Sequence, residues 1–234
     1  MRLKHLCIIL CLFCTNAVFA QNNSLSIYPI VGVNLSSLTK GTTYFLDDGT
    51  SCQYRPEYAI GFNIGGELEK KIQRIGLSLG LIFSLEQIKY KDIYVSSESY
   101  RFLSKDFSAK NKNLDVPLSV SYDIWDSKDS RICLKSGLLL RYLLNGTTKS
   151  TVSFYKKENN EWIINNIISG YNKQDFTYGY NRVQLAIPVG VSYEYKKIYM
   201  DLRYNIGLTN VYKYSDENIY NRSFALSVGY CITV

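Results

Sequence analysis

The sequence predicts an all-β protein: an eight-stranded antiparallel up-and-down transmembrane β-barrel with short periplasmic turns and long extracellular loops. Three observations predict it. Apolar and polar residues alternate with period two over most of the chain, no stretch shows sustained i, i+3, i+4, i+7 apolar spacing, and the links between strands alternate between short and long. The stretch YMDLRYNIGLTN, Tyr199 to Asn210, displays the alternation. Met200, Leu202, Tyr204, Ile206 and Leu208 share one face, and Asp201, Arg203, Asn205, Gly207 and Thr209 the other. A soluble sheet hides the apolar face inside, whereas a membrane barrel turns it toward lipid and keeps the charges in its lumen.

The chain opens MRLKHLCIILCLFCTNAVFA, with cations and His5 first, an apolar run from Leu6 to Phe13, then Val18 and Ala20 at the positions a signal peptidase reads. Residues 1–20 are expected to be a secretory signal cleaved before Gln21, since the run is shorter than the ~20 residues of a spanning helix. Cys14 follows Leu12 and Phe13, where a lipoprotein signal would carry small residues. Residues 21–234 then form one barrel domain, and the loss of Arg2 and Lys4 takes the formal charge from +7 to +5.

Eight strands follow from the alternation, at about 24–36, 58–70, 75–89, 113–125, 131–145, 181–195, 198–210 and 221–234. The first offers Leu25, Ile27, Val31, Val33 and Leu35 on its apolar face, the second Tyr58, Ile60, Phe62, Ile64 and Leu68, and the third Ile75, Leu77, Leu79, Leu81, Phe83 and Leu85. The fourth carries Leu114 to Ile124 at every second position, the fifth Ile132, Leu134, Leu138, Leu140, Tyr142 and Leu144, and, again at every second position, the sixth Val183 to Tyr193 and the eighth Phe224 to Val234. The seventh is the stretch quoted above. Each face is long enough for the ~9–11 tilted residues that cross a bilayer. KKIQRI, DSKDSR and YKKI are the short links, and the others run from about a dozen to thirty-five residues. With an even strand count, both termini lie on the short-turn, periplasmic side.

The opposite faces carry Gly32, Gly61, Gly65, Gly76, Gly80, Gly137, Gly190, Gly207 and Gly229. Interior glycines weaken a solvent-exposed strand, but the inside wall of a narrow barrel needs small residues. The same faces hold Glu67, Glu69, Glu86, Asp115, Asp123, Glu194 and Asp201 against Lys135, Arg141, Arg182 and Arg203. Buried charges persist only when partnered, so these are expected to form a lumen charge network that pairs across the bore and plugs it. Tyr122, Tyr193, Tyr195 and Tyr230 at one end of the apolar faces, and Tyr58, Tyr142 and Phe224 at the other, form two expected interfacial girdles. Pro29, Pro117 and Pro188 fall inside strands and predict bulges. The segment TVSFYKKENNEWIINNIISGY predicts an external hairpin, with a ten-stranded barrel as its alternative. The chain ends in Val234, where barrels of this kind usually end in an aromatic residue.

Composition narrows function by exclusion. The sole histidine, His5, leaves with the signal, which removes the usual general base of outer-membrane hydrolases. Cys7, Cys11 and Cys14 also leave, and Cys52, Cys133 and Cys231 remain, an odd number with no metal-ligand spacing. One pair, Cys133 with Cys231, remains available. The cations are spread without a cluster, so nucleic acid has no footprint here, and no cofactor motif occurs.

VGVNLSS, AIGFNIGGELEKK, NLDVPLSVSY and DLRYNIGLTNVY resemble the small outer-membrane β-barrel proteins of Bacteroidetes typified by PorT. The resemblance spans nearly the whole chain after the signal and implies an eight-stranded outer-membrane barrel. Through PorT's association with the type IX secretion machinery, it also implies an envelope or secretion protein as partner, and it carries no catalytic residues over. The expected function is a monomeric, non-enzymatic scaffold in outer-membrane lipid and lipopolysaccharide, its external loops binding a partner or supporting envelope integrity. A small ion or solute channel, and a soluble secreted barrel binding an apolar ligand, are the alternatives.

Overall fold

The computed structural model describes residues 25–41, 43–45, 51–53, 55–96, 100–158, 161–172, 179–213 and 217–234. The expected signal segment lies outside them. The strands are β1 (Leu25–Leu38), β2 (Thr43–Phe45), β3 (Ser51–Gln53), β4 (Pro56–Ile72), β5 (Ile75–Tyr90), β6 (Ile93–Ser96), β7 (Tyr100–Asp126), β8 (Ser130–Glu158), β9 (Glu161–Asn172), β10 (Val183–Tyr195), β11 (Ile198–Gly207), β12 (Asn221–Tyr230) and β13 (Ile232–Thr233). Eight of them form a closed ring, β1-β4-β5-β7-β8-β10-β11-β12, with β12 pairing back onto β1 and every pairing antiparallel. Closure leaves no sheet edge in the wall.

The outward side is the apolar one. Ile60 is 69% exposed, Val31 58% and Leu202 50%, while Glu67, Glu69, Asp123 and Asp201 are each 2% exposed. A soluble barrel with its aliphatic side chains inside is therefore not the arrangement of this chain. Tyr122, Tyr193, Tyr195 and Tyr230 lie exposed toward the short-turn end, joined there by Trp125, while Tyr58, Tyr142 and Phe224 are exposed toward the long-loop end.

At the short-turn end, two links are two-residue hairpin turns, Gln73–Arg74 between the paired Ile72 and Ile75, and Lys196–Lys197 between the paired Tyr195 and Ile198. Gln73 and Lys196 sit at φ 55° and 56°, a left-handed conformation that costs a side chain more than it costs glycine.

Two findings correct the sequence reading of the strands, the lengths of β7 and β8 and the pairing at the prolines. β7 and β8 run 27 and 29 residues, far past the expected 113–125 and 131–145. Their upper halves leave the ring and, flanked by β6 and β9, form a four-stranded antiparallel sheet above it. The expected hairpin is the β8–β9 pair, and it lies outside the ring, so the wall has eight strands and not ten.

The prolines make no bulges. Gly80–Pro117 with Leu81–Val116, and Pro188–Gly137 with Ile187–Leu138, drop out of one ladder each, yet the pairing on both sides keeps the same register, and the other ladder runs past each proline without a break. Pro29 likewise interrupts only the ladder between β1 and β12–β13. A missing N–H removes a hydrogen bond without requiring an extra residue. Register shifts occur instead between Tyr58 and Phe62 in β4, in β7 and β8 near Lys105–Ser108, Lys112–Asn113 and Asp123–Trp125, and between Phe154 and Tyr155. Finally, Cys133 and Cys231 are both free thiols, Cys133 Sγ lying 2.8 Å from Ser192 Oγ.

Candidate functional site, the filled lumen and its apolar cap

Inward parity on each strand delivers charged side chains to the bore in layers. Nearest the short turns, Arg131 Nε binds Asp123 Oδ1 at 2.7 Å, and its Nη2 reaches Glu69 on the far side of the ring. Lys71 Nζ joins Asp123 and Asp126 at 2.7 and 2.6 Å. Tyr28 donates its hydroxyl to Glu194 at 3.1 Å; this glutamate is half-buried at the mouth rather than deep in the bore.

The middle layer turns on Glu67. Its two oxygens take Lys135 Nζ at 2.9 Å from β8 and Arg203 Nη2 at 2.6 Å from β11, so one carboxylate on β4 ties together three separated parts of the wall. Arg203 also holds Asp201 at 2.8 Å, and the Tyr199 hydroxyl receives a hydrogen bond from Lys135 at 2.9 Å and donates to Asp201 at 3.2 Å. Tyr28 and Tyr199 pack ring to ring at 4.6 Å between centroids, with Ile30, Ile82 and Cys231 around them.

The upper layer is Arg141, which makes a two-point contact with Asp115 at 2.7 and 2.8 Å and reaches Glu86 at 2.7 Å. Asp115 and Arg141 are directly opposite one another in the β7–β8 ladder, so this pair forms along the wall and not across the bore. Asn221 donates to Glu86 at 2.8 Å, and Ser84 to Asp115 at 3.0 Å.

Of the eleven charges expected in the network, Arg182 is the one the structure places elsewhere. It is exposed, because regular pairing on β10 begins only at Val183 and the chain before it turns through the isolated Tyr180–Tyr212 bridge. Parity does not extend past the end of a ladder. Arg131, Lys71, Tyr28 and Tyr199 belong to the lumen layers and were absent from the expected set. Arg131 shares its parity with Cys133 and Lys135, so the alternation contained the signal for it.

Above Arg141 the bore changes character. Leu38, Ile88, Tyr90, Ala109, Leu143, Tyr180, Val211 and Ile219 form a buried apolar cluster, with Phe107 and Tyr212 packed against it. The β11–β12 link supplies Val211 and Ile219, and Asn210 holds it in shape. Its Oδ1 accepts from the backbone N–H of Tyr212 and of Ile219, and its Nδ2 donates to the Glu217 carbonyl. The Tyr180 and Tyr90 hydroxyls meet that of Tyr212 at 3.2 and 3.4 Å. Below this cap, a void of about 30 Å³, room for roughly one water, separates the Arg141 layer from Asp201 and Arg203 of the middle layer. Glycine keeps the wall that close: a Cβ on Gly80 would stand 2.8 Å from Pro117 Cγ and 3.0 Å from Glu67 Cγ. Among the described residues, no three His, Cys, Asp or Glu side chains gather where one metal ion would fit.

Residues 19–213, most of the chain, match the family described as outer membrane protein beta-barrel domain. The chain belongs to that family. Its membership accords with the outward apolar band and the closed ring, and makes this an outer-membrane β-barrel protein. No curated protein matches the chain. Among solved structures it is similar to Ail, the attachment invasion locus protein of Yersinia pestis, at 13% identity over 88% of this chain and 98% of that one, with a TM-score of 0.38. Neisserial surface protein A is 14% identical over 88% and 96%, TM-score 0.35, and the outer membrane protease OmpT from Escherichia coli 9% identical over 91% and 96%, TM-score 0.39.

Proposed function

We propose that this outer membrane beta-barrel domain protein is a non-enzymatic, non-conducting scaffold that holds the β6–β9 sheet outside the cell as its working surface. The observation that carries this reading is the filled bore: three ionic layers topped by an apolar cap. In this reading the segment 1–20 is removed on export, the short turns face the periplasm, and the long-loop end faces out. The partner is an envelope or secretion protein, and the narrower PorT-type placement belongs to the same proposal. A sheet carried above a closed barrel supports it, because binding surfaces sit on a fixed frame.

Two measurements test the proposal. In planar bilayers, the wild-type protein is expected to show no single-channel steps, and steps altered by Arg141→Ala would establish a channel instead. In detergent extracts, deletion of residues 147–178 is expected to remove a specific partner while the barrel keeps its heat-modifiable migration. An unchanged partner list would count against the sheet as the binding surface.

A further inference from the structure

At the long-loop end of the wall, β5, β7 and β8 carry outward-facing residues in cross-strand rows. Phe83, Leu114 and Tyr142 form one apolar row. The next rows are Leu85–Lys112–Asn145, Gln87–Lys110–Thr147 and Lys89–Ser108–Lys149. Successive rows lie ~7 Å apart along the strands. Lys89, Lys110, Lys112 and Lys149 are all exposed, while the alternate residues Ile88, Ala109, Asn111 and Thr148 are buried inside. The wall thus passes within three rows from hydrocarbon-facing aromatics to ammonium groups on three neighbouring strands.

Lys89, Lys110 and Lys149 border a concavity of about 800 Å³, shaped where β7 bulges at Asp106 and Phe107. Its acidic members are partly engaged. Lys91 lies 3.7 Å from Glu57, and Asp92 accepts the Asp106 backbone N–H at 3.3 Å. Lys89 and Lys110 flank the opening on adjacent strands, with Lys149 beyond Ser108. Lysine suits phosphate as a point charge on a long stem that lies along apolar wall while its head stays wet.

We propose that Lys89, Lys110 and Lys149, with Lys112 below them, form a binding site for the phosphate of a lipopolysaccharide headgroup in the outer leaflet. The phosphate belongs to a lipid and not to a free anion, because the site sits on the outer wall directly above the lipid-facing band, where acyl chains end and headgroups begin. The inference rests on the proposed orientation with the long-loop end outward.

The test uses the full-length exported protein in detergent, with lipid A as the probe and retained lipid read by native mass spectrometry. Wild type is expected to retain lipid A in preference to dephosphorylated lipid A. Removal of a lysine near an anionic surface costs roughly fivefold in affinity, so the triple variant Lys89→Ala, Lys110→Ala, Lys149→Ala is expected to bind about a hundredfold more weakly. Arginine at the same three positions is expected to preserve binding. The triple Lys128→Ala, Lys196→Ala, Lys197→Ala, which removes three cations at the short-turn end, is expected to stay within about twofold of wild type. Equal retention of the dephosphorylated lipid, an equal loss in the short-turn triple, or displacement by inorganic phosphate at the concentration of lipid A itself would each overturn the proposal. Heat-modifiable migration, measured first, separates the two levels. A protein lacking it overturns the barrel reading and this site together, whereas a heat-modifiable barrel indifferent to phosphate overturns this site alone.

Discussion

Leu202 in the barrel wall and Ile163 in the sheet above it are equally exposed, at 50% and 49%, yet they occupy different solvents. Leu202 lies in the apolar band formed by β10, β11 and β12, flanked in the ladders by Val191 and Leu226. Ile163 lies on β9, opposite Lys156, in a sheet that no longer closes on itself. The wall sorts every residue by face because lipid tolerates no charge outside and the narrow bore tolerates little bulk inside. On β9 the neighbouring Ile163 and Ile164 are both exposed, so the sorting by face relaxes there. Surface area alone does not distinguish the two positions; the medium does.

The largest expected break comes from the interior that the wall encloses. Glu67→Gln leaves Lys135 and Arg203 buried without their shared counter-ion, and loss of one partner from a buried pair costs about 3–5 kcal/mol. Urea unfolding in liposomes, followed by tryptophan fluorescence, is expected to show a loss of that size. A change below 1 kcal/mol would mean that water already screens the layer. Next is the comparison itself. Leu202→Arg is expected to cost about 2–4 kcal/mol near the bilayer midplane, whereas Ile163→Arg stays within about 0.5 kcal/mol. Equal effects at the two positions would remove the distinction between wall and sheet.

The same contrast explains what could be read from the sequence. β4, β5, β10 and β11 were legible to within a few residues, and Val183 to Tyr193 and Met200 to Leu208 alternate without interruption. The upper half of β7 was not. YRFLSKDFSAKN breaks parity at the bulge near Asp106, where φ is 53°, and polar residues on both faces give no period to detect. In the lumen, parity and charge together mark Glu67, Lys135, Arg141 and Arg203. Tyrosine suits girdle and bore equally, so the sequence does not mark Tyr28 and Tyr199 as lumen residues, and the parity that points Arg182 inward ends with its ladder. Which carboxylate meets which cation depends on the closure of the ring, a long-range fact that no local pattern contains.

Gly80→Ala is expected to have a smaller effect, about 1–3 kcal/mol of destabilisation, from forcing a methyl against Pro117 and Glu67. A neutral result in the same unfolding assay would show that the Pro117 ring moves aside. If Glu67 moved instead, Gly80→Ala combined with Glu67→Gln would cost clearly less than the sum of the two separate losses.

The smallest effects set one hairpin turn against another. Gln73 and Lys196 are both left-handed, at φ 55° and 56°, a conformation that costs an L-residue about 1–2 kcal/mol and glycine little. Glycine gives back about 0.5–1 kcal/mol in chain entropy, so Gln73→Gly is expected to stabilise the barrel by about 0.5–1 kcal/mol. Lys196 differs in one respect: its ammonium lies 5.4 Å from the centroid of the Tyr195 ring, a contact worth about 0.5–1 kcal/mol at an exposed site. Lys196→Gly loses that contact while relieving the same strain, so its net change is expected to be near zero. Equal stabilisation by the two glycines would show that the cation over the ring contributes nothing, and that the backbone alone sets the cost of both turns.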